Sequence, residues 1–254
     1  YVPAAMLSVI TVCYILFARN RPSEVGFEDF PEPTPGDSSD EQQDTGEENV
    51  VDVWKAVLKS KALWTTGTMY FFLKMTRYAF LWWLPLYMVE SAGYAQDEAG
   101  YTSTVFELAG FFGVVIAGYA SDKLMDSRRF PVACVMLLGL AAACFIYPSL
   151  AAQKGMLNII GLSLIGIMTF GPDSLMTGAG AMDIGSQKAA GMAAGIINGI
   201  GSIGAALSPI LVATVSESKY GWDGLFPLFT IFSIIAAILM ATHWNVGKNQ
   251  PEQH

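Results

Sequence analysis

The chain has 254 residues, of which 53% are hydrophobic and 14% charged, with 25 Gly, 15 Phe, 10 Tyr, 6 Trp and a net charge of −8. Globular domains carry about 25% charged residues, and a mean hydropathy of +0.42 leaves too little polar surface to cover a 27.4 kDa globule in water. This balance excludes a soluble enzyme, a disordered tail and a nucleic-acid binder, and it indicates an all-α polytopic membrane protein.

A helix crosses the hydrocarbon with about 20 apolar residues. The first such segment, 1–18, carries no charge. It lacks the basic start and small-residue cleavage pattern of a signal peptide. The chain opens at Tyr1 inside this span, so it reads as part of a longer protein whose N-terminal half is missing. Segment 19–62 is polar. Eleven of the 22 acids lie between Glu24 and Asp52, and residues 22–49 have the Pro, Asp, Glu, Ser and Gln content of a solvated tether. Residues 50–60 differ: Val50, Trp54, Val57 and Leu58 share one helical face and Lys55 and Lys59 the other, as in a helix lying on a membrane surface. Six further apolar segments follow, at about 63–90, 99–121, 130–153, 155–180, 189–216 and 224–247. The expected organisation is a partial span (1–18), a central loop (19–62), a six-helix bundle (63–244) and a tail (245–254).

Basic residues orient the spans. Arg19, Arg21, Lys55, Lys59, Lys61, Lys123, Arg128, Arg129, Lys188 and Lys248 fall on one side, and Lys154 and Lys219 on the other. The positive-inside rule then puts loop 19–62 and the C-terminus in the cytoplasm, with a cell (inner) membrane as the expected location. Cys13, Cys134 and Cys144 sit in apolar runs without a CxxC, and neither His243 nor His254 adjoins an acid cluster. No metal site, disulfide framework or cofactor is expected.

Two cations remain, and both lie within a span. Tyr70, Lys74, Arg77 and Tyr78 follow at i, i+4, i+7 and i+8, on one helical face. Counted from Leu63 at 1.5 Å per residue, Lys74 and Arg77 lie about 17–21 Å deep. A charge there costs at least ~2.5 kcal/mol, so the face must meet a wet cavity or a counter-charge. Glu107, with Ser103 and Gly110, and Asp173, with Thr169 and Thr177, are the candidate anions. Asn198 and Ser202 add a polar pair on the next span. Two readings compete: Lys74–Glu107 and Arg77–Asp173 bridges that only hold the bundle together, or a central solute site. Arg presents a planar donor fork suited to phosphate and Lys a compact charge, so the solute would be an oxyanion. Trp82 and Trp83 read as packing or interfacial anchors. Gly191, Gly195 and Gly199, with Gly201 and Gly204, suggest close helix approach, while Pro209 and Gly171-Pro172 invite bends.

The loop Gly118-Tyr-Ala-Ser-Asp122-Lys123, followed by Arg128-Arg129, resembles the cytoplasmic GxxxD(R/K)…R(R) signature of the major facilitator superfamily. Lys74-Met-Thr-Arg77-Tyr78 continuing to Trp83-Leu-Pro85-Leu-Tyr87, then Gly171-Pro172, and Lys188-Ala-Ala-Gly191-Met-Ala-Ala-Gly195 leading to Gly221-Trp222-Asp223, are similar to the organophosphate:phosphate antiporters. This family comprises glycerol-3-phosphate, hexose-phosphate and phosphoglycerate transporters and sugar-phosphate exchangers. The resemblance implies a C-terminal six-helix half plus the end of the preceding helix. It also implies exchange of an organic phosphate for inorganic phosphate by alternating access, with Arg77 as this half's phosphate-binding arginine. Lys74 matches a Lys of the sugar-phosphate exchangers, where bacterial glycerol-phosphate carriers tend to have an aromatic. Asp173 matches no family position. On this reading Arg77, Lys74, Tyr78, Tyr70 and Asn198 bind substrate, Glu107 and Asp173 pair with the cations, and Gly118, Asp122, Lys123, Arg128 and Arg129 form a cytoplasmic gate motif. The expected partners are organic phosphate, inorganic phosphate and the lipid bilayer. The alternatives are a proton-coupled organic-anion symporter and a membrane sugar-phosphate sensor. Neither HExxH nor GxSxG occurs, so an enzyme is not expected.

Overall fold

The computed structural model describes residues 2–17, 50–178, 180–181 and 189–245, in two units divided after Glu47. The tether 22–49, the flanking Arg19 and Arg21, Lys188, Lys248, the end of the tail and the side chains of Val50 to Val53 lie outside the described residues. The first unit contributes one helix, α1 (Val2–Phe17), whose Thr11 hydroxyl returns to the Leu7 carbonyl at 2.8 Å, so its polar group is satisfied within the helix.

The described residues of the second unit form helices joined by short turns. Helix α2 (Val50–Lys59) buries Val57 while Trp54 and Leu58 stay exposed. Ser60 then breaks the helix and caps the next one, its hydroxyl accepting from Leu63 N at 3.4 Å. Trp64 Nε1 donates to the Leu58 carbonyl at 2.7 Å, fastening α2 to the start of α3 (Lys61–Glu90). Helix α3 has 30 residues, about 45 Å at the usual rise, and runs through Pro85. Helix α4 (Gln96–Tyr119) opens with Asp97 and Glu98, which favour a helix N-terminus. It ends in a π turn, Ala120–Leu124, and a tight loop in which Asp126 and Ser127 take positive φ. Then follow α5 (Arg129–Ala151), α6 (Gly155–Thr177), α7 (Ala190–Ser216), a short 3-10 turn (Trp222–Gly224) and α8 (Leu225–Ala241). Helices α6 and α7 continue through Pro172 and Pro209.

Five of these elements are long and apolar enough to cross a membrane: α4 with its π turn, α5, α6, α7, and α8 with the 3-10 turn. Helix α3 has the length, but its charged and hydroxyl residues keep it out of that set. It is instead the central helix, packing on α7 and α8 and, more lightly, on α4 and α6. Helix α4 lies against α6, and α5 against α6 and α8. Aromatics fill the centre: Phe80 stacks on Phe106 at 5.7 Å, and Tyr147 and Phe226 meet at 5.4 Å. A buried polar chain crosses this apolar core. Tyr147 OH donates to Asn158 Oδ1 at 2.9 Å, and Asn158 Nδ2 donates to Tyr94 OH at 3.0 Å. Beside it, Lys154 Nζ donates to the Gly93 carbonyl at 2.7 Å.

Glycines set the helix crossings, though not the ones whose spacing stood out. A Cβ on Gly191, Gly195 or Gly199 would meet nothing within 4 Å, so that stripe is open in this unit. The close approaches fall on Gly113 against the Ile167 backbone, Gly166 against the Phe106 carbonyl and Gly204 against the Phe71 carbonyl. The spacing repeat marks a smooth face; only a neighbouring backbone turns it into a contact.

Backbone cannot yield to an added methyl, whereas a flexible side chain can. Gly204→Ala and Gly166→Ala should each lower stability by about 1–3 kcal/mol, read as a fall in Tm of the detergent-solubilised protein. Gly139 faces the Met168 thioether instead, so Gly139→Ala should shift Tm far less.

Candidate functional site

Helices α3, α6 and α7 meet around Lys74 and Arg77. On α3, Tyr70 and Lys74 are buried, Lys74 to 7% exposure, and Arg77 keeps 23% of its side chain exposed. Arg77 Nη1 donates to Asp173 Oδ2 on α6 at 2.5 Å. The guanidinium also lies over the Phe170 ring, 4.1 Å from its centroid, a cation–π contact. Phe170 and Asp173 are three residues apart on α6, so one helical face offers Arg77 an anion and an aromatic plane.

Lys74 turns to α7. Its Nζ donates to Asn198 Oδ1 at 2.6 Å and stands 4.9 Å from the Tyr70 ring centre and 6.0 Å from that of Tyr78. Gly201 makes that route possible, because a Cβ there would collide with the Tyr70 ring and press on the Lys74 stem. Asp173 lies within electrostatic reach of both Tyr70 and Lys74. Its second oxygen, Oδ1, is buried without a hydrogen-bond partner. Thr177 Oγ1 spends its proton on the Asp173 main-chain carbonyl at 2.7 Å and does not reach the carboxylate.

The structure therefore brings together Tyr70, Lys74, Arg77, Tyr78, Asp173 and Asn198. Glu107 stands apart: it is exposed on α4 and forms no ion pair among the described residues. The amide of Asn198, and no carboxylate, receives Lys74. The reason is placement, since the buried face of α4 is spent on its glycine crossing with α6. Asn198 itself is exposed, as are Gly195 and Gly199 on the same helix. The Trp82 ring packs edge-on against Tyr78 at 5.1 Å, and Trp83 lies 6.3 Å from Trp222.

At the α4–α5 loop, Asp122 and Lys123 are exposed on the π turn and Gly118 meets nothing within 4 Å of a built Cβ. Arg128 caps the Met125 carbonyl through Nε at 3.1 Å and its Nη2 lies 3.9 Å from Asp126. Arg129 opens α5. Two participants were not singled out from sequence, Phe170 and Asp126. The first could have been found from its i, i+3 relation to Asp173. The second depends on a loop conformation with positive φ that no spacing announces.

An all-helical bundle with apolar spans around a buried polar cluster defines a polytopic integral membrane protein, and residues 1–209 match the Major Facilitator Superfamily, to which the chain belongs. Within it, the chain fits the organophosphate:phosphate antiporter family. It is 28% identical to a glycerol-3-phosphate transporter of Bacillus subtilis, over 98% of this chain and 56% of that one. It is 30% identical to the glucose-6-phosphate exchanger SLC37A2 of Mus musculus, over 94% of this chain and 53% of that one. It is also 30% identical to a probable hexose phosphate transport protein of Chlamydia trachomatis, over 78% and 43% of the respective chains. The chain thus spans about half the length of the curated relatives it matches.

The pairing of Arg77 with Asp173 has a stability consequence. Removing one partner leaves the other charge in a poorly hydrated place, at a cost of about 1.5–3 kcal/mol for a charged hydrogen bond. Arg77→Gln should lower Tm, and adding Asp173→Asn should recover much of the loss, giving a positive coupling in a double-mutant cycle.

Proposed function

We propose that the protein containing this chain is a secondary transporter that exchanges an organic phosphate ester for inorganic phosphate by alternating access. The observation that carries this reading is the charge of the cluster. Lys74 and Arg77 bring two positive charges to one face of α3, Asp173 returns one negative charge, and Asn198 accepts from Lys74 without neutralising it. One positive charge in the bundle is left for a solute. An intramembrane cation of this kind favours a mobile anion over a permanent void, and Arg and Lys together suit a phosphoryl group. The three relatives above carry glycerol phosphate, glucose 6-phosphate or hexose phosphate in their names, and that substrate class extends naturally to this chain.

In this scheme Arg77 and Lys74 hold the phosphoryl oxygens, Tyr70 and Tyr78 wall the site, and the exposed Asn198 amide meets the rest of the ester. Span 1–18, loop 19–62 with its surface helix, bundle 63–244 and tail 245–254 form the C-terminal part of a longer carrier. The missing half closes the cavity from the other side, and Gly118, Asp122, Lys123, Arg128 and Arg129 act at the cytoplasmic gate of an inner-membrane protein. Losing a buried charged partner costs at least ~2 kcal/mol. Arg77→Ala in the full-length protein should therefore slow phosphate-ester counterflow in proteoliposomes by about 30-fold or more, at unchanged expression. Exchange at the wild-type rate would refute the assignment.

A further inference from the structure

Resting on the phosphate-ester reading for its ligand, we propose that Phe170 is a positioning residue: its ring fixes the plane of the Arg77 guanidinium and so decides which N–H groups are left for a phosphoryl group. Arg77 Cζ lies 4.1 Å from the Phe170 ring centre and 6.0 Å from that of Tyr78. A guanidinium is planar, and its N–H donors all lie in that plane. A ring against its face therefore orients the group without occupying a donor. Asp173 takes one donor, on Nη1. A second carboxylate in the place of Phe170 would take more of them and would set another negative charge beside the ligand. The phenyl ring does neither. Asp173 and Phe170 stand one turn apart on α6, so that helix holds the guanidinium at two points, one on its edge and one on its face. A single hydrogen bond leaves the group free to turn about the bond; the ring removes that freedom.

The ring can act as a stop only because it is itself held. Phe106 meets it edge-on at 5.4 Å, and Phe106 is buried and stacked on Phe80 at 5.7 Å. At Gly110 a Cβ would lie 2.5 Å from a carbon of the Phe170 ring, so the ring fills space that this glycine leaves open. Helix α4 supplies none of the six clustered side chains, yet through Phe106 and Gly110 it backs the ring that Arg77 lies on. A free arginine samples many rotamers, and holding one of them in advance cuts the cost of ordering the side chain when a ligand arrives.

The test uses the full-length protein in detergent, and its first arm needs no ligand. The Tm coupling between Arg77→Gln and Asp173→Asn is measured with Phe170 in place, with Phe170→Tyr and with Phe170→Leu. Leucine fills much of the same space without a ring face, so the coupling should fall below about half its wild-type size, whereas tyrosine keeps the face and the coupling. The second arm is equilibrium binding of glycerol 3-phosphate. Phe170→Leu should weaken it roughly three- to tenfold, and Phe170→Tyr by less than about twofold. A residue that only fills space would lower Tm in Phe170→Leu and leave coupling and affinity as they are. An unchanged result in either arm overturns the proposal, as does a Phe170→Tyr variant that loses as much as Phe170→Leu. Phe170→Met, also without a ring face, carries both arms if Phe170→Leu does not fold. The phosphate-ester reading fails separately, if the wild type does not bind glycerol 3-phosphate or if Arg77→Ala binds it as tightly as the wild type.

Discussion

A guanidinium placed halfway along a helix surrounded by apolar spans calls for an anion, and that requirement ties together the elements around Arg77. Its partners are the Asp173 carboxylate and the ring of Phe170, which offset the cost of placing a charge among apolar helices. Both partners sit on α6, which fixes the rotation of that helix about its own axis. Lys74, three residues away, donates instead to the Asn198 amide of α7. One side chain thus dictates which face of two neighbouring helices turns inward. The same economy leaves two basic side chains facing one carboxylate in the cluster.

Bringing those partners within hydrogen-bond reach depends on backbone proximity. Helix α7 can lie close to α3 because Gly204 presents no side chain to the Phe71 carbonyl and Gly201 leaves space for Tyr70 and the Lys74 stem. Helix α6 is positioned from the other side by α4, through Gly113 and Gly166. The packing glycines and the charged cluster are therefore one design: the former set the distances that the latter needs.

Much of this was legible in the sequence because lipid imposes simple rules. Long apolar runs announce α5, α6, α7 and α8, and the i, i+4, i+7, i+8 spacing alone places Tyr70, Lys74, Arg77 and Tyr78 on one face. Asp173 was visible as an acid in a span. Its expected pairing with Arg77 is present, whereas the expected Lys74–Glu107 pair is not, because the relative rotation of two helices is a tertiary property. Glu107 looked equivalent to Asp173 by depth, yet it points away, since depth says nothing about azimuth. The Gly191, Gly195, Gly199 repeat looked like a contact and is an open face, whereas Gly204, in no tidy repeat, carries one. The Tyr147–Asn158–Tyr94 chain gave little warning beyond one Asn in an apolar run, as its partners lie 11 and 64 residues away.

That buried chain bears on how the bundle can move. Asn158 on α6 holds Tyr147 on α5 and Tyr94 in the turn before α4, while Lys154 grips the same turn through Gly93. Prying these segments apart would strand hydroxyl and amide groups in hydrocarbon, each at the expense of a lost buried hydrogen bond. Helices α5 and α6 and the turn between α3 and α4 are riveted at that end. Any motion that keeps these bonds carries α5, α6 and that turn together.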